Sequence, residues 1–240
     1  MLPTQPLIAS RLLLSCLGTQ TYTYYQDRVP LGGPVIVVSN HRSFMDAPVL
    51  IAAMNRSVRF ACHHYMGQVP LLRDVVTRLG GFPLGAPEER QQSFFTAAVQ
   101  VLQQQQVVGI FPEGAEPMVQ ETDPATLGKF QRGFAHLALR APIEDLVVLP
   151  VAIAAQQETI NSAMPLRTLR WFDPSEPLFD QAGWHPMVFY HRVNVLFGRP
   201  QWIRAAQRDA YQGKQARSLV AELTGTCQAE IQQLLRQGLH

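Results

Sequence analysis

Apolar positions in this chain alternate between short unbroken runs and longer amphipathic stretches. The runs "PVIVVSN" (residues 34–40), "VVGIF" (107–111) and "LVVLPVAIAA" (146–155) are rich in β-branched residues and too short for helices, so they read as buried strands, and "VRFAC" (58–62) reads as a short strand. "TYTYY" (21–25) reads as a further strand, "GFPLG" (81–85) as a strand end, and "TLRWF" (168–172) and "MVFYHRVNVLFG" (187–198) as strands late in the chain. Between them, "APVLIAAMNRS" (47–57), "PLLRDVVTRLGG" (70–81), "PEERQQSFFTAAVQVLQQQQ" (87–106) and "RGFAHLALRAP" (132–142) read as helices. The second of these starts with Pro and ends with Gly, and the third has acid in its first turn. "KQARSLVAELTGTCQAEIQQLLRQ" (214–237) predicts a long closing helix. Strands alternate with helices through the first 155 residues. This predicts a single α/β domain with a largely parallel, two-sided central sheet and flanking helices.

"LIASRLLLSCLG" (7–18) is a helix apolar nearly all round, broken by Ser10, Arg11 and Ser15. It is far below the ~20 apolar residues of a membrane span. It also lacks a preceding charged segment and a clear cleavage site, which argues against a signal peptide. A core helix and a helix dipping into a membrane interface both fit it, the core reading slightly better.

Composition narrows the function classes. With 240 residues, 47% hydrophobic, the chain can bury one sizeable core. Its net charge of +2 creates no field that points to nucleic acid. The bases are 18 Arg against two Lys, and Arg forks suit phosphate and carboxylate groups. A lineage bias toward Arg explains the ratio equally well. The three Cys residues (16, 62 and 227) are far apart and odd in number, which fits a reducing compartment and gives no disulfide framework. The adjacent His63 and His64 would diverge on a strand and have no His or Cys cluster nearby, so no metal site is expected.

The chemistry gathers at strand ends. His41 lies just past a central strand, where open α/β sheets build their sites, and Asp46 follows five residues later. A carboxylate there can bond one imidazole nitrogen, fix the tautomer and leave the other nitrogen as a base. Ser43 and Asp46 also match a capping box, and Asp46 could itself be the N-cap of the helix. Both roles can coexist. "FPEG" (111–114) follows the next apolar strand, so Glu113 should share a rim with His41. With "GGFPLG" and "LPV", four strand ends would meet on one side of the sheet.

The ordered set "NHRSFMD … GGFPLG … FPEG … LPV" resembles the glycerolipid acyltransferase family typified by bacterial 1-acylglycerol-3-phosphate acyltransferase. The likeness covers roughly residues 35–155, and "VNVLFGRP" (193–200) resembles the strand that usually follows. It implies the glycerolipid acyltransferase fold. By number it divides the chain into an N-terminal extension (1–30), open to the membrane-interface reading, a catalytic core (35–200) and a C-terminal helix (212–238). It implies His41 as general base, Asp46 as its partner, and Glu113 and Gly114 as acceptor-binding residues. The implied reaction moves an acyl group from acyl-CoA or acyl carrier protein to a lipid hydroxyl, foremost that of 1-acylglycerol-3-phosphate. No cofactor, metal or nucleic acid is involved, and the expected place is peripheral, on the cytoplasmic face of a membrane. No GxSxG elbow is present, which disfavours an acyl-enzyme.

The chain departs from the family pattern where a phosphate would be held. The Arg expected three residues after Pro83 is Ala86, a Lys common near the end of the preceding strand is His63, and Ala115-Glu116-Pro117 replaces Thr-Arg-Ser after FPEG. Arg90, Lys129 and Arg132 are the candidates to replace the missing cation. Lys129 and Arg132 would share a helix face if that helix starts early enough. The alternatives are a neutral lipid alcohol as acceptor, or a non-catalytic lipid-binding relative.

Overall fold

The computed structural model describes residues 4–62, 80–83, 90–114, 116–169 and 183–239. Helix α1 (Gln5–Cys16) leads into strand β1 (Gln20–Tyr24), followed by β2 (Val35–Ser39), α2 (Asp46–Met54), β3 (Val58–Cys62) and β4 (Phe82–Pro83). Then come α3 (Arg90–Gln103), β5 (Val107–Ile110), the short α4 (Glu116–Val119), α5 (Gly133–Arg140) and the long β6 (Val147–Pro165). The chain closes with α6 (Leu166–Leu169), β7 (Trp184–Phe197), β8 (Gln201–Trp202), α7 (Ala205–Asp209) and α8 (Gly213–Gly238).

The sheet order is β1-β7-β6-β2-β5-β3-β4, with β8 on β6. β6, β2, β5, β3 and β4 run parallel, so their carboxyl ends share one rim. β2 sits between β5 and β6, and all five of its residues are buried. Its alternation divides the core. Ile36 and Val38 face a layer with Leu102, Phe134, Leu137 and Ile231, while Val35 and Val37 face one with Leu7, Leu14, Leu50 and Met54. The α/β class and the two-sided sheet follow as the sequence predicts, with the sheet mixed rather than wholly parallel.

The departures have local causes. β6 continues to Pro165 and pairs antiparallel with β7 from Val151↔Phe197 to Pro165↔Trp184, a hairpin arm that runs past the carboxyl rim of β2. Its outer half, "QQETINS", carries polar residues because much of it faces solvent, so no apolar run marks it. The strand expected at 168–172 begins instead as the end of α6, and residues 170–172 lie outside the described residues. The helix expected over 70–81 also lies almost wholly outside them, as do His63, His64 and Ala86. Helix α1 buries Leu7, Ser10 and Leu14 and leaves Ile8 and Leu12 exposed, so one face belongs to the core.

Candidate active site

His41 stands two residues past β2, and Asp46 is the first residue of α2. Met45, not Asp46, is the residue before the helix and makes no side-chain cap bond, while Ser43 and Asp46 bond reciprocally as the sequence suggests: Ser43 Oγ accepts the Met45 N–H at 3.0 Å and the Asp46 carboxylate accepts the Ser43 N–H at 2.8 Å. The Asp46 carboxylate folds back over the connecting loop. Its Oδ2 accepts the backbone N–H of Arg42 at 2.7 Å and of Ser43 at 2.8 Å, and lies 2.8 Å from His41 Nδ1. Its Oδ1 accepts the hydroxyl of Tyr190 at 2.7 Å. An ionised carboxylate only accepts, so the His41 nitrogen facing it carries the proton and Nε2 is left as the basic nitrogen. Asp46 is 1% exposed and the His41 side chain 17%, so the ring reaches the surface while the carboxylate does not.

The ring of His41 is held on its flat side as well. It stacks on Phe111 with centroids 4.0 Å apart and planes 9° apart, and Phe111 stacks on Phe60 at 5.1 Å. Phe111 directly follows β5, so the first residue of FPEG supports the imidazole.

Glu113 is buried, and both its oxygens accept backbone N–H groups: Oε1 from His41 at 3.0 Å and Oε2 from Gly128. Burial pushes its carboxyl above the ordinary carboxylate range, although the N–H groups of Gly128 and His41 pull the other way. Glu113 thus ties the loop that carries His41 to the segment before α5. Gly114 turns the chain at a φ of +78°, where a Cβ would lie 2.9 Å from Gln131 Nε2.

Arg42 is buried beside the dyad. Its guanidinium forks onto Glu158 at 2.8 and 2.9 Å and donates to the carbonyl of Thr122. Burial opposes its charge, but the bonded Glu158 carboxylate, together with Tyr190 and Asp46, more than offsets this, and the net effect raises its pKa. The hairpin arm supplies two of these groups, since Glu158 on β6 pairs with Tyr190 on β7. Tyr190 is 2% exposed, and burial beside Asp46 pushes its phenol well above its ordinary range, so it acts as a neutral donor.

The structure therefore brings His41, Asp46, Glu113 and Gly114 to one rim. The cations are placed differently. α5 starts at Gly133 with Arg132 as its N-cap, so Lys129 precedes the helix and the two do not share a helix face. Both are exposed, and Lys129 adjoins Gly128, which holds Glu113. Arg90 is the first residue of α3. Tyr190, Glu158 and Thr122 were not singled out from sequence. Tyr190 is 144 residues from Asp46, and the one hint was a hydroxyl on the buried side of an alternating strand.

Comparison with known proteins places this geometry. Among solved structures the chain is similar to the 1-acyl-sn-glycerophosphate acyltransferase PlsC from Thermotoga maritima, with a TM-score of 0.60 at 16% identity over 97% of this chain and 77% of that one. That likeness shows the fold. No curated protein matches the sequence. The acyltransferase family model matches residues 21–154, more than half of the chain and the stretch that carries His41, Asp46 and Glu113, and the protein is therefore a member of the acyltransferase family.

Proposed function

We propose that this acyltransferase moves a fatty acyl group from an acyl thioester, acyl-CoA or acyl carrier protein, to the hydroxyl of a lysophospholipid of the 1-acylglycerol-3-phosphate type. The observation that carries the reading is the His41–Asp46 pair: a buried carboxylate orients the ring and leaves Nε2 as base at the carboxyl rim of the sheet. Nε2 takes the acceptor's hydroxyl proton as its oxygen attacks the thioester carbonyl. The tetrahedral intermediate collapses, the C–S bond breaks, and the imidazolium returns the proton to the departing thiolate. Asp46 stabilises the imidazolium between the two steps.

The reading places the protein peripherally, on the cytoplasmic face of a membrane, with the exposed Ile8 and Leu12 of α1 toward the lipid. No helix among the described residues is long and apolar enough to cross a membrane. Alkaline carbonate should release it; release by detergent alone contradicts this placement.

Acceptor phosphate recognition rests on Arg90, Lys129 or Arg132, because Ala86 stands where the resembled family has Arg. That same Ala86 favours a second reading, a neutral lipid alcohol as acceptor. One panel decides: labelled acyl-CoA and acyl carrier protein with lysophosphatidate or a neutral monoacyl or prenyl alcohol, against wild type, His41→Ala, Arg90→Ala and Ala86→Arg. The proposal expects transfer to lysophosphatidate that His41→Ala abolishes and Arg90→Ala weakens through KM. Transfer only to neutral alcohols, impaired by Ala86→Arg, establishes the second reading. Equal turnover by wild type and His41→Ala overturns both.

A further inference from the structure

Among the described residues, Asp46 Oδ2 has three donors, two backbone N–H groups from its own loop and the His41 ring, and Oδ1 has one, the hydroxyl of Tyr190. That hydroxyl comes from β7, beyond residues 21–154, so the family match assigns it nothing. We propose that Tyr190 is a positioning residue for acyl transfer, holding Asp46 so that Oδ2 faces His41 and drawing negative charge toward Oδ1. The inference rests on the His41 base mechanism proposed above.

The surroundings make the hydroxyl specific rather than incidental. The Tyr190 backbone is anchored on both sides: its N–H contacts Met45 Sδ at 3.3 Å, and its carbonyl accepts Thr19 Oγ1 at 2.8 Å. The neighbouring Val188 carbonyl accepts Ser43 Oγ at 2.6 Å, and Phe189 meets Phe44 edge to face at 5.3 Å. The arm is thus stitched to the loop of His41 and Asp46 at three consecutive residues, and the buried phenol is directed at the carboxylate. Among the described residues, the titratable and charged groups around Asp46 are His41 and Arg42 from its own loop, Glu113 after β5, Glu158 on β6 and Tyr190 on β7. Tyr190 is the one that alters the carboxylate's charge distribution without carrying a charge.

Removing the hydroxyl has a signed consequence. With Oδ1 bare, more of the carboxylate's charge is directed at the imidazole, which favours its protonated form, and the carboxylate is freer to rotate. Tyr190→Phe should lower kcat about tenfold with KM for both substrates within about twofold. The acid limb of kcat/KM should move to higher pH by several tenths of a unit. 3-Fluorotyrosine at position 190 keeps the hydroxyl and makes it a stronger donor, so its acid limb should move to lower pH. This arm holds even if Tyr190→Phe fails to fold. A purely packing role predicts lost stability with kcat and the acid limb unchanged, and that result overturns the proposal. An active wild type, an inactive His41→Ala and an unaltered Tyr190→Phe defeat only this inference. A wild type no more active than His41→Ala defeats the base mechanism first.

Discussion

Asp46→Asn separates the catalytic from the structural role of the carboxylate, and the structure sets both magnitudes. An Asn side chain can place its oxygen where Oδ2 stands, keeping an acceptor for Arg42 N–H, Ser43 N–H and the His41 ring. Its NH2 then meets the Tyr190 hydroxyl, whose oxygen can accept but whose proton loses its acceptor. Three charge-assisted bonds become neutral ones, roughly half as strong. The unpaired phenol proton costs about 1–3 kcal/mol. Losing the acid from the first turn of α2 costs about 0.3–1 kcal/mol more. A destabilisation of about 2–4 kcal/mol, or roughly 5–15 °C in Tm, is expected by calorimetry. Against an ordinary total of about 5–15 kcal/mol, most of the protein stays folded at 25 °C, so unfolding accounts for less than about a tenfold rate loss. The rate should nevertheless fall about 10²–10⁴-fold, because the imidazolium formed during transfer loses its counter-charge. Turnover per folded molecule within about fivefold of wild type would refute the assignment of Asp46 as partner to a base.

Three further outcomes follow from the same geometry. Arg42→Met leaves Glu158 without its cation and should cost about 3 kcal/mol in denaturant unfolding, with much of it recovered by adding Glu158→Met; no recovery means that the pair does not act as a unit. Gly109→Ala puts a Cβ 2.1 Å from the Phe60 ring, which lies behind Phe111 and His41, so it should destabilise by about 1–3 kcal/mol and lower kcat; unchanged kinetics would show that the stack does not hold the base. Glu113 is a carboxyl raised by burial, so the native state holds its proton more tightly than the unfolded chain; its stabilising contribution is complete below the unfolded value and is lost as pH climbs through the raised folded value. The stability of wild type relative to Glu113→Gln should therefore fall with rising pH above the ordinary carboxylate range, and a pH-independent difference contradicts the buried placement.

The sequence alone determined the features written in local pattern. β2 and β5 are short apolar runs rich in β-branched residues and bounded by turn residues, β3 alternates a buried Val58 and Phe60 with half-buried neighbours, and α8 is an amphipathic helix with its apolar stripe at helical spacing, so each is legible without its neighbours. The contact between His41 and Asp46 was legible for the same reason: the two lie five residues apart on one connection, short enough for sequence spacing to imply contact. Only the tertiary structure decided what long-range pairing supplies. The outer half of the β6–β7 arm is held by strand pairing rather than by an apolar run, so its composition resembles a loop. Asp46 depends on that arm, since its fourth donor is a Tyr 144 residues away. The Glu113 carboxylate bridges two backbone amides 87 residues apart in sequence (His41 and Gly128), a geometry that exists only once β2 and β5 lie side by side. Local propensity selects helix or strand from a few neighbouring residues, whereas which hydroxyl or amide meets a buried carboxylate is set by strand order and register, and these are global properties of the packed chain.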